Sequence, residues 1–278
     1  MFLVTGITGN IGSATAKHLL AKGYEVRGLV SNKKQVERVP KGASIAFGDL
    51  NKPETLREAF EGVDGVFLLP GFADMPGIYK VAKEAGVTHI VQLSGRSAES
   101  GDMTNAVTEY MVRSENAARE SGISWTVIRP SAYMTNTFRW SEQLQKGDVV
   151  RLPFADNRSA MIDPDDVGNV IATILADPAE HVNKIYSVSG PEALTPADCV
   201  QVIGEVLHRD LRFEAQPNDE ARKEMLQTTP EKYVDAFFDF YVHGALDESP
   251  VLPTVQEITG KQPTDYRTWV TEHAAELG

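Results

Sequence analysis

The sequence predicts an α/β fold: a doubly wound parallel sheet with a smaller C-terminal lobe. Three observations carry that expectation. Short apolar runs alternate with amphipathic stretches through the first half of the chain. The runs are continuously apolar, as strands covered on both faces are. The rhythm then changes past Arg129, where Pro130 precedes a cluster of aromatic and polar residues, Tyr133, Asn136, Phe138 and Trp140. Strands alternating with helices imply right-handed crossovers, which leaves few topologies.

Taken in order, the expected strands are Phe2–Thr5, Glu25–Val30, Ser44–Phe47, Gly65–Leu69, His89–Ser94 and Ser124–Arg129. Between them the apolar spacing predicts helices over Ile11–Lys22, Pro53–Phe60, Gly77–Ala85 and Glu109–Ser121. Later elements are a strand at Val149–Leu152, a helix over Pro164–Ala176 and a strand at Lys184–Ser189. A further helix runs over Thr195–Leu207, with Thr195 as its cap and Pro196 at its first position. The last part reads as mostly helical.

Bulk properties narrow the function. A chain of 278 residues, 42% hydrophobic and 24% charged, reads as a globular protein able to bury a full core. The net charge of −12 argues against a nucleic-acid partner, which needs a basic surface. No apolar run approaches the roughly 20 residues of a membrane span. The first strand starts at Met1 or Phe2, which leaves no room for a signal peptide, so a cytoplasmic location is expected. The single cysteine, Cys199, can form no internal disulfide and reads as a packing residue.

The strongest motif is Val4-Thr5-Gly6-Ile7-Thr8-Gly9-Asn10-Ile11-Gly12. Gly6 lets the chain leave the strand in a tight turn, Gly9 leaves room for a pyrophosphate, and Gly12 lets the helix lie close on the strand. The helix start then turns its free amides and positive dipole end toward the phosphates. A glycine run in that strand–turn–helix context is the fingerprint of a Rossmann dinucleotide site. The expected core is 1–130 with 164–189, and 131–163 with 190–278 form the substrate-side lobe.

The end of the second strand selects the dinucleotide. An NAD site carries a carboxylate there for the ribose 2′-hydroxyl. This chain has Ser31-Asn32-Lys33-Lys34, a hydroxyl, an amide and two ammonium groups that suit a 2′-phosphate, with Arg27 adding to the field. NADP (NADPH) is therefore expected over NAD; the alternative is that the two lysines begin a solvated helix. Because ligands lie beyond the carboxyl ends of parallel strands, Asp49 and Leu50 are expected near the adenine. Leu69 and Pro70 should line the cofactor, and Ser94 should lie near the nicotinamide. Asp49 has a second reading, as a helix cap before Pro53. The cofactor set is thus Gly6, Thr8, Gly9, Asn10, Ile11, Gly12, Ser31, Asn32, Lys33, Asp49, Leu50, Leu69, Pro70 and Ser94.

Several segments together resemble a known family. They are the turn Thr5–Gly12, Gly48-Asp49-Leu50, the strand His89–Ser94, and Trp125–Pro130 followed by Tyr133-Met134 and Asn136. Ile162-Asp163-Pro164 with Asp166-Val167, and Ser189–Thr195, complete the set. The chain resembles the atypical short-chain dehydrogenase/reductases of the NmrA-like group from Met1 to about Trp269, and within it the NADPH-dependent quinone and azo-dye reductases. The resemblance implies an extended Rossmann fold with a small C-terminal lobe and a cleft between them. That group holds reductases of quinones, azo dyes and triphenylmethane dyes, and also cofactor-binding redox sensors without turnover.

Short-chain dehydrogenases commonly use a Tyr-x-x-x-Lys helix after the fifth strand, where lysine lowers the tyrosine pKa. The only such spacing here, Tyr79-x-x-x-Lys83, precedes that strand and reads as a coincidence of an amphipathic helix. In the right region Tyr110 stands four residues before Ser114, so the tuning cation is missing. Hydride transfer to a good acceptor still needs mainly positioning. Tyr133, Asn136 and Phe138, with Phe72 opposite, are the candidate substrate contacts; the alternative for Tyr133 and Phe138 is packing of the lobe. No catalytic residue is assigned. The histidines are scattered, and Asp163, Asp165 and Asp166 read as a helix start, so no metal is expected. The expectation is an NADPH-dependent oxidoreductase acting on a small aromatic, quinone-like or other conjugated acceptor. The alternative is a non-catalytic NADP-binding sensor acting through a protein partner. The sequence leaves a homodimer open.

Overall fold

In a computed structural model describing residues 1–278, nine strands form two sheets. The large sheet has seven parallel strands: β1 (Phe2–Val4), β2 (Val26–Val30), β3 (Ser44–Phe47), β4 (Gly65–Leu68), β5 (His89–Leu93), β6 (Ser124–Pro130) and β8 (Lys184–Val188). Their order is β3-β2-β1-β4-β5-β6-β8. Strands β1, β4 and β5 are buried along their whole length, while the edge strand β3 is half open. That gradient is why the central runs are continuously apolar. The expected doubly wound α/β fold is therefore present.

Helices cover both faces. On one face α1 (Asn10–Ala21) packs against α6 (Pro164–Ala176) over Val4, Phe67 and Val91. The other face carries α2 (Arg57–Phe60), α3 (Met75–Glu84) and α4 (Ala106–Glu120) over Leu3, Val66 and Ile90. Each such fully buried aliphatic side chain stabilises the fold by about 1.5–3 kcal/mol before chain entropy is charged against it. Starts are set by caps: Asp74 accepts from Gly77 N, Asn105 from Val107 N and Thr108 N, and Asp163 from Asp165 N. These caps place α3 and α4 two to three residues earlier than apolar spacing alone does.

The lobe is built on a two-stranded parallel sheet of β7 (Val149–Leu152) and β9 (Arg212–Ala215). Its helices are α5 (Ser141–Lys146), α7 (Pro196–Leu207), α8 (Asn218–Met225), α9 (Glu231–Tyr241), α11 (Tyr266–Glu272) and α12 (Ala274–Leu277). A separate core forms around Trp269, Tyr266, Val150 and Ile203. Thr195 and Asp198 form a reciprocal capping box on α7, as the sequence led one to expect. Two features differ from expectation. Strand β9 lies in the stretch read as helical, because four residues, three of them exposed, carry no periodic signal of their own. Helix α10 (Thr254–Thr259), in the stretch assigned to the lobe, returns to the main sheet, where Val255 joins the core beside α6.

Candidate functional site

The strand order reverses at β1, which has β2 on one side and β4 on the other. Ligands of open α/β sheets bind at that switch point. Thr5 ties the two strand exits together. Its amide and its hydroxyl both donate to the Phe67 carbonyl, at 3.1 and 3.0 Å, and its Oγ1 accepts from Leu69 N at 3.1 Å. Gly6 then turns at φ +60°, a conformation that glycine adopts without strain. Gly9 N donates to Gly6 O at 2.9 Å, and Gly9 caps α1 with extended backbone and no side chain. The amides of Asn10, Ile11 and Gly12 are left without partners in the helix.

Gly12 permits this geometry. A Cβ there would lie 2.5 Å from the Gly6 carbonyl carbon and 2.8 Å from Thr5 O, both backbone atoms that cannot swing aside. A cavity of about 370 Å³ opens over the turn, lined by Gly6, Thr8, Gly9, Asn10, Ile11 and Gly12, with Leu69, Tyr133, Thr135 and Pro164 facing them. Gly6, Gly9 and Gly12 put no side chain into the cavity, which is faced by the positive end of a 12-residue helix. The residues present therefore fit a dinucleotide. Thr135 was not anticipated; a threonine between Met134 and Asn136 carries no signal by itself.

At the far end of the turn, Ser31, Asn32 and Lys33 are exposed at the exit of β2. The Asn32 side chain accepts from Lys34 N at 2.9 Å and caps a short 3₁₀ turn over Lys33–Arg38. Lys33 and Lys34 thus do begin a helix, and Lys33 remains open at the strand end. Arg38 closes the group: its guanidinium donates to Thr8 O at 3.0 Å, which brings a cation onto the glycine turn. Sequence reasoning missed Arg38 because only the 3₁₀ turn carries it back. Arg27 is corrected. Its guanidinium donates to the carbonyls of Glu58, Ala59 and Glu61, where it caps α2 and adds nothing to the β2 exit. Asp49 accepts from Asn51 N in a local turn, and its own amide donates to Thr55 Oγ1. Leu50 is buried in the core with Leu56, so Asp49 is the polar group offered there.

The acceptor side is rearranged. Leu69 and Tyr133 meet over the glycine turn, and Pro70 beside Leu69 is half-buried. The Tyr133 phenol is pushed up by burial and by the nearby Tyr110 and Glu248. Phe138 is instead a packing residue: its ring lies 5.2 Å from Trp269 and 5.4 Å from His273, inside the lobe. Asn136 is half-buried, and its amide donates to Tyr133 O at 2.9 Å. Phe72 lines a separate cavity with Tyr110. Ser94 reaches the end of β5 but turns its hydroxyl to Glu115 Oε1 at 2.7 Å. Glu115, 1% exposed, also accepts two bonds from Arg129 and one from Arg119, at 2.8 Å each. This buried hub holds α4 to the exits of β5 and β6.

Other chemistry resolves into structure. The Tyr79 hydroxyl donates to Gln92 Oε1 at 2.9 Å in the core, and Lys83 turns outward to Ser121 O, so the Tyr-x-x-x-Lys spacing is structural. His89 is buried against Thr126, and burial first, then His181, lowers its pKa to about 4. Asp165 pairs with His18 at 2.9 Å, and Asp166 accepts from Thr264 N at 2.7 Å. Burial raises Asp166 to about 6. Cys199 is buried in the lobe and raised to about 12 by that burial. No group of His, Cys, Asp and Glu has the arrangement of a metal site. No helix is long and apolar enough to cross a membrane.

With this fold and cradle established, comparison places the chain in a class. Residues 1–258 match the NmrA-like family, and the chain belongs to it. It is 35% identical, over 99% of its length and 98% of the relative's, to the (4-alkanoyl-5-oxo-2,5-dihydrofuran-3-yl)methyl phosphate reductase of Streptomyces griseus subsp. griseus. It is 29% identical to the NAD(P)H azoreductase of Xenophilus azovorans, over 100% of the chain and 99% of the relative. Among solved structures, an NADPH-dependent quinone oxidoreductase from Escherichia coli superposes with a TM-score of 0.82 at 19% identity, covering 98% of this chain and 99% of that one. The Citrobacter sp. triphenylmethane reductase complexed with NADP(H) gives 0.82 at 20% identity with the same coverage.

Proposed function

We propose that this protein is an NADPH-dependent reductase that delivers hydride to a small conjugated acceptor. The observation that carries the reading is the cradle: a glycine-lined helix start at the switch point, roofed by Leu69, Tyr133, Thr135 and Pro164. NADPH, when bound, supplies the hydride. The amides of Asn10, Ile11 and Gly12 hold the diphosphate; Ser31, Lys33 and Arg38 stand where the 2′-phosphate would lie. The full-length relative supports the acceptor class. Its name describes a dihydrofuranone whose ring C=C is conjugated to carbonyl groups, and such a C=C accepts hydride without the tyrosine–lysine pair this chain lacks.

The test has two arms. NADPH and NADH affinities are compared by titration in wild type, Lys33→Ala and Arg38→Ala. Each variant should weaken NADPH by about 10-fold or more, the weight of one charge-assisted contact, and leave NADH affinity within a factor of two. Turnover is then followed at 340 nm against quinones, enones and dyes. Bound cofactor with no oxidation across the panel would favour the sensor alternative, in which a partner protein is recruited differently by NADP and NADPH.

A further inference from the structure

A second cavity, of about 630 Å³, lies between the exit of β4 and helices α4 and α9. Phe72, Tyr110 and Tyr233 give it three aromatic walls. Gly71 is seated against the Tyr110 ring: a Cβ on it would come 3.1 Å from Tyr110 Cδ2. Ser114 holds this corner, accepting from Gly71 N at 3.0 Å and donating to Tyr110 O at 2.8 Å. Leu69 lines the glycine-turn cavity and Gly71 lines this one. Two residues of extended chain span about 7 Å. The two cavities therefore open on the same strand exit, one at Leu69 and the other at Gly71.

We infer that this second cavity takes the acceptor, a flat α,β-unsaturated carbonyl, and that Tyr110 is the catalytic residue that donates the proton to its oxygen. The inference rests on the reductase reading above. Aromatic walls suit a flat conjugated ring. The Tyr110 hydroxyl makes no hydrogen bond within the chain and is not sealed in the core. Ser114 occupies the position where a lysine would draw the phenol toward its anion. Burial, then Tyr233, pushes the Tyr110 phenol above its ordinary value, so it carries its proton at neutral pH.

The step balances. Hydride supplied by bound NADPH would form a C–H bond at the β-carbon; the C=C pair shifts to the bond between the α-carbon and the carbonyl carbon, and the C=O π pair moves onto the oxygen. The Tyr110 O–H bond breaks, and its proton goes to that oxygen. The resulting enol becomes the ketone, and the tyrosinate takes a proton from water through the open side of the cavity. NADPH is oxidised, and the acceptor gains two electrons, the hydride proton and one proton from solvent. A cationic triphenylmethane dye needs no such donor, because hydride alone makes it neutral.

The experiment compares wild type with Tyr110→Phe and Tyr233→Ala on 2-cyclohexen-1-one and on malachite green, with NADPH affinity as the control for folding. Tyr110→Phe should lower kcat on the enone about 100-fold or more, the usual weight of a general acid. The enone-to-dye rate ratio should fall by the same factor. Tyr233→Ala should raise KM for the enone with a smaller effect on kcat. In cofactor-free protein, the 295 nm difference titration between wild type and Tyr110→Phe should show one phenol ionising above about 10. Equal loss on both acceptors, no loss, or ionisation below that value overturns the proposal while leaving the reductase reading intact. Wild-type protein that binds NADPH and reduces neither acceptor overturns the proposal, and silence on the quinones as well overturns the reductase reading.

Discussion

Gly12→Ala separates two physical effects of opposite sign. In an exposed helix interior the change stabilises by about 1 kcal/mol, through helix propensity. Here the added Cβ would lie 2.8 Å from Thr5 O and 2.5 Å from the Gly6 carbonyl carbon, and both belong to backbone locked by the Thr5 bonds to Phe67. Overpacking against such atoms costs about 1–3 kcal/mol, so the clash should outweigh the propensity gain. The turn would also shift relative to the helix-start amides proposed to hold the diphosphate. Losing one charge-assisted bond costs about 1.5–3 kcal/mol, which is about 10- to 150-fold in Kd for NADPH. Thermal unfolding of the apoprotein and calorimetric titration with NADPH measure the two terms independently. A raised Tm with unchanged NADPH affinity would refute the packing of α1 on the turn, and with it the cradle.

Further expectations follow from the buried polar groups. Glu115→Ala strands Arg129 and should destabilise by about 3–5 kcal/mol in urea unfolding, because a buried charge loses its partner. Tyr79→Phe removes one core hydrogen bond and should cost about 1 kcal/mol while leaving turnover within a factor of two, which checks that the Tyr79–Lys83 spacing is structural. His89 is held neutral down to about pH 4, below its unfolded value of about 6.5. The unfolded chain therefore binds the extra proton first, and stability falls as pH drops through that window, by at most about 1.4 kcal/mol per unit. Asp166 opposes this slope: raised to about 6, it is protonated in the fold while the unfolded chain is ionised, so its contribution falls as pH rises from about 4 to 6. The quantity to measure is thus the stability difference between wild type and His89→Gln, in which Asp166 cancels and which should fall as pH drops from about 6.5 to about 4.

The sequence by itself determined the seven-stranded sheet, the helices that cover it and the glycine turn. Those features rest on local chemistry: continuous apolar runs need cover on both faces, and three glycines between a strand and a helix leave one economical turn. The β2 exit was legible for the same reason, since the presence of Lys33 and the absence of a carboxylate are properties of adjacent residues. Tertiary structure decided the rest. Phe138 and Tyr133 look alike in sequence, yet one packs on Trp269 and the other roofs the glycine turn, because a 3₁₀ turn over Met134–Trp140 splits their directions. Ser94 faces the buried Glu115, a partner that becomes its neighbour only when α4 docks. Arg38 reaches Thr8 across a gap of 30 residues, and Tyr110 meets Gly71 and Tyr233 only through the packing of α4 and α9. Side-chain direction and long-range contact arise from packing, and no spacing along the chain encodes them.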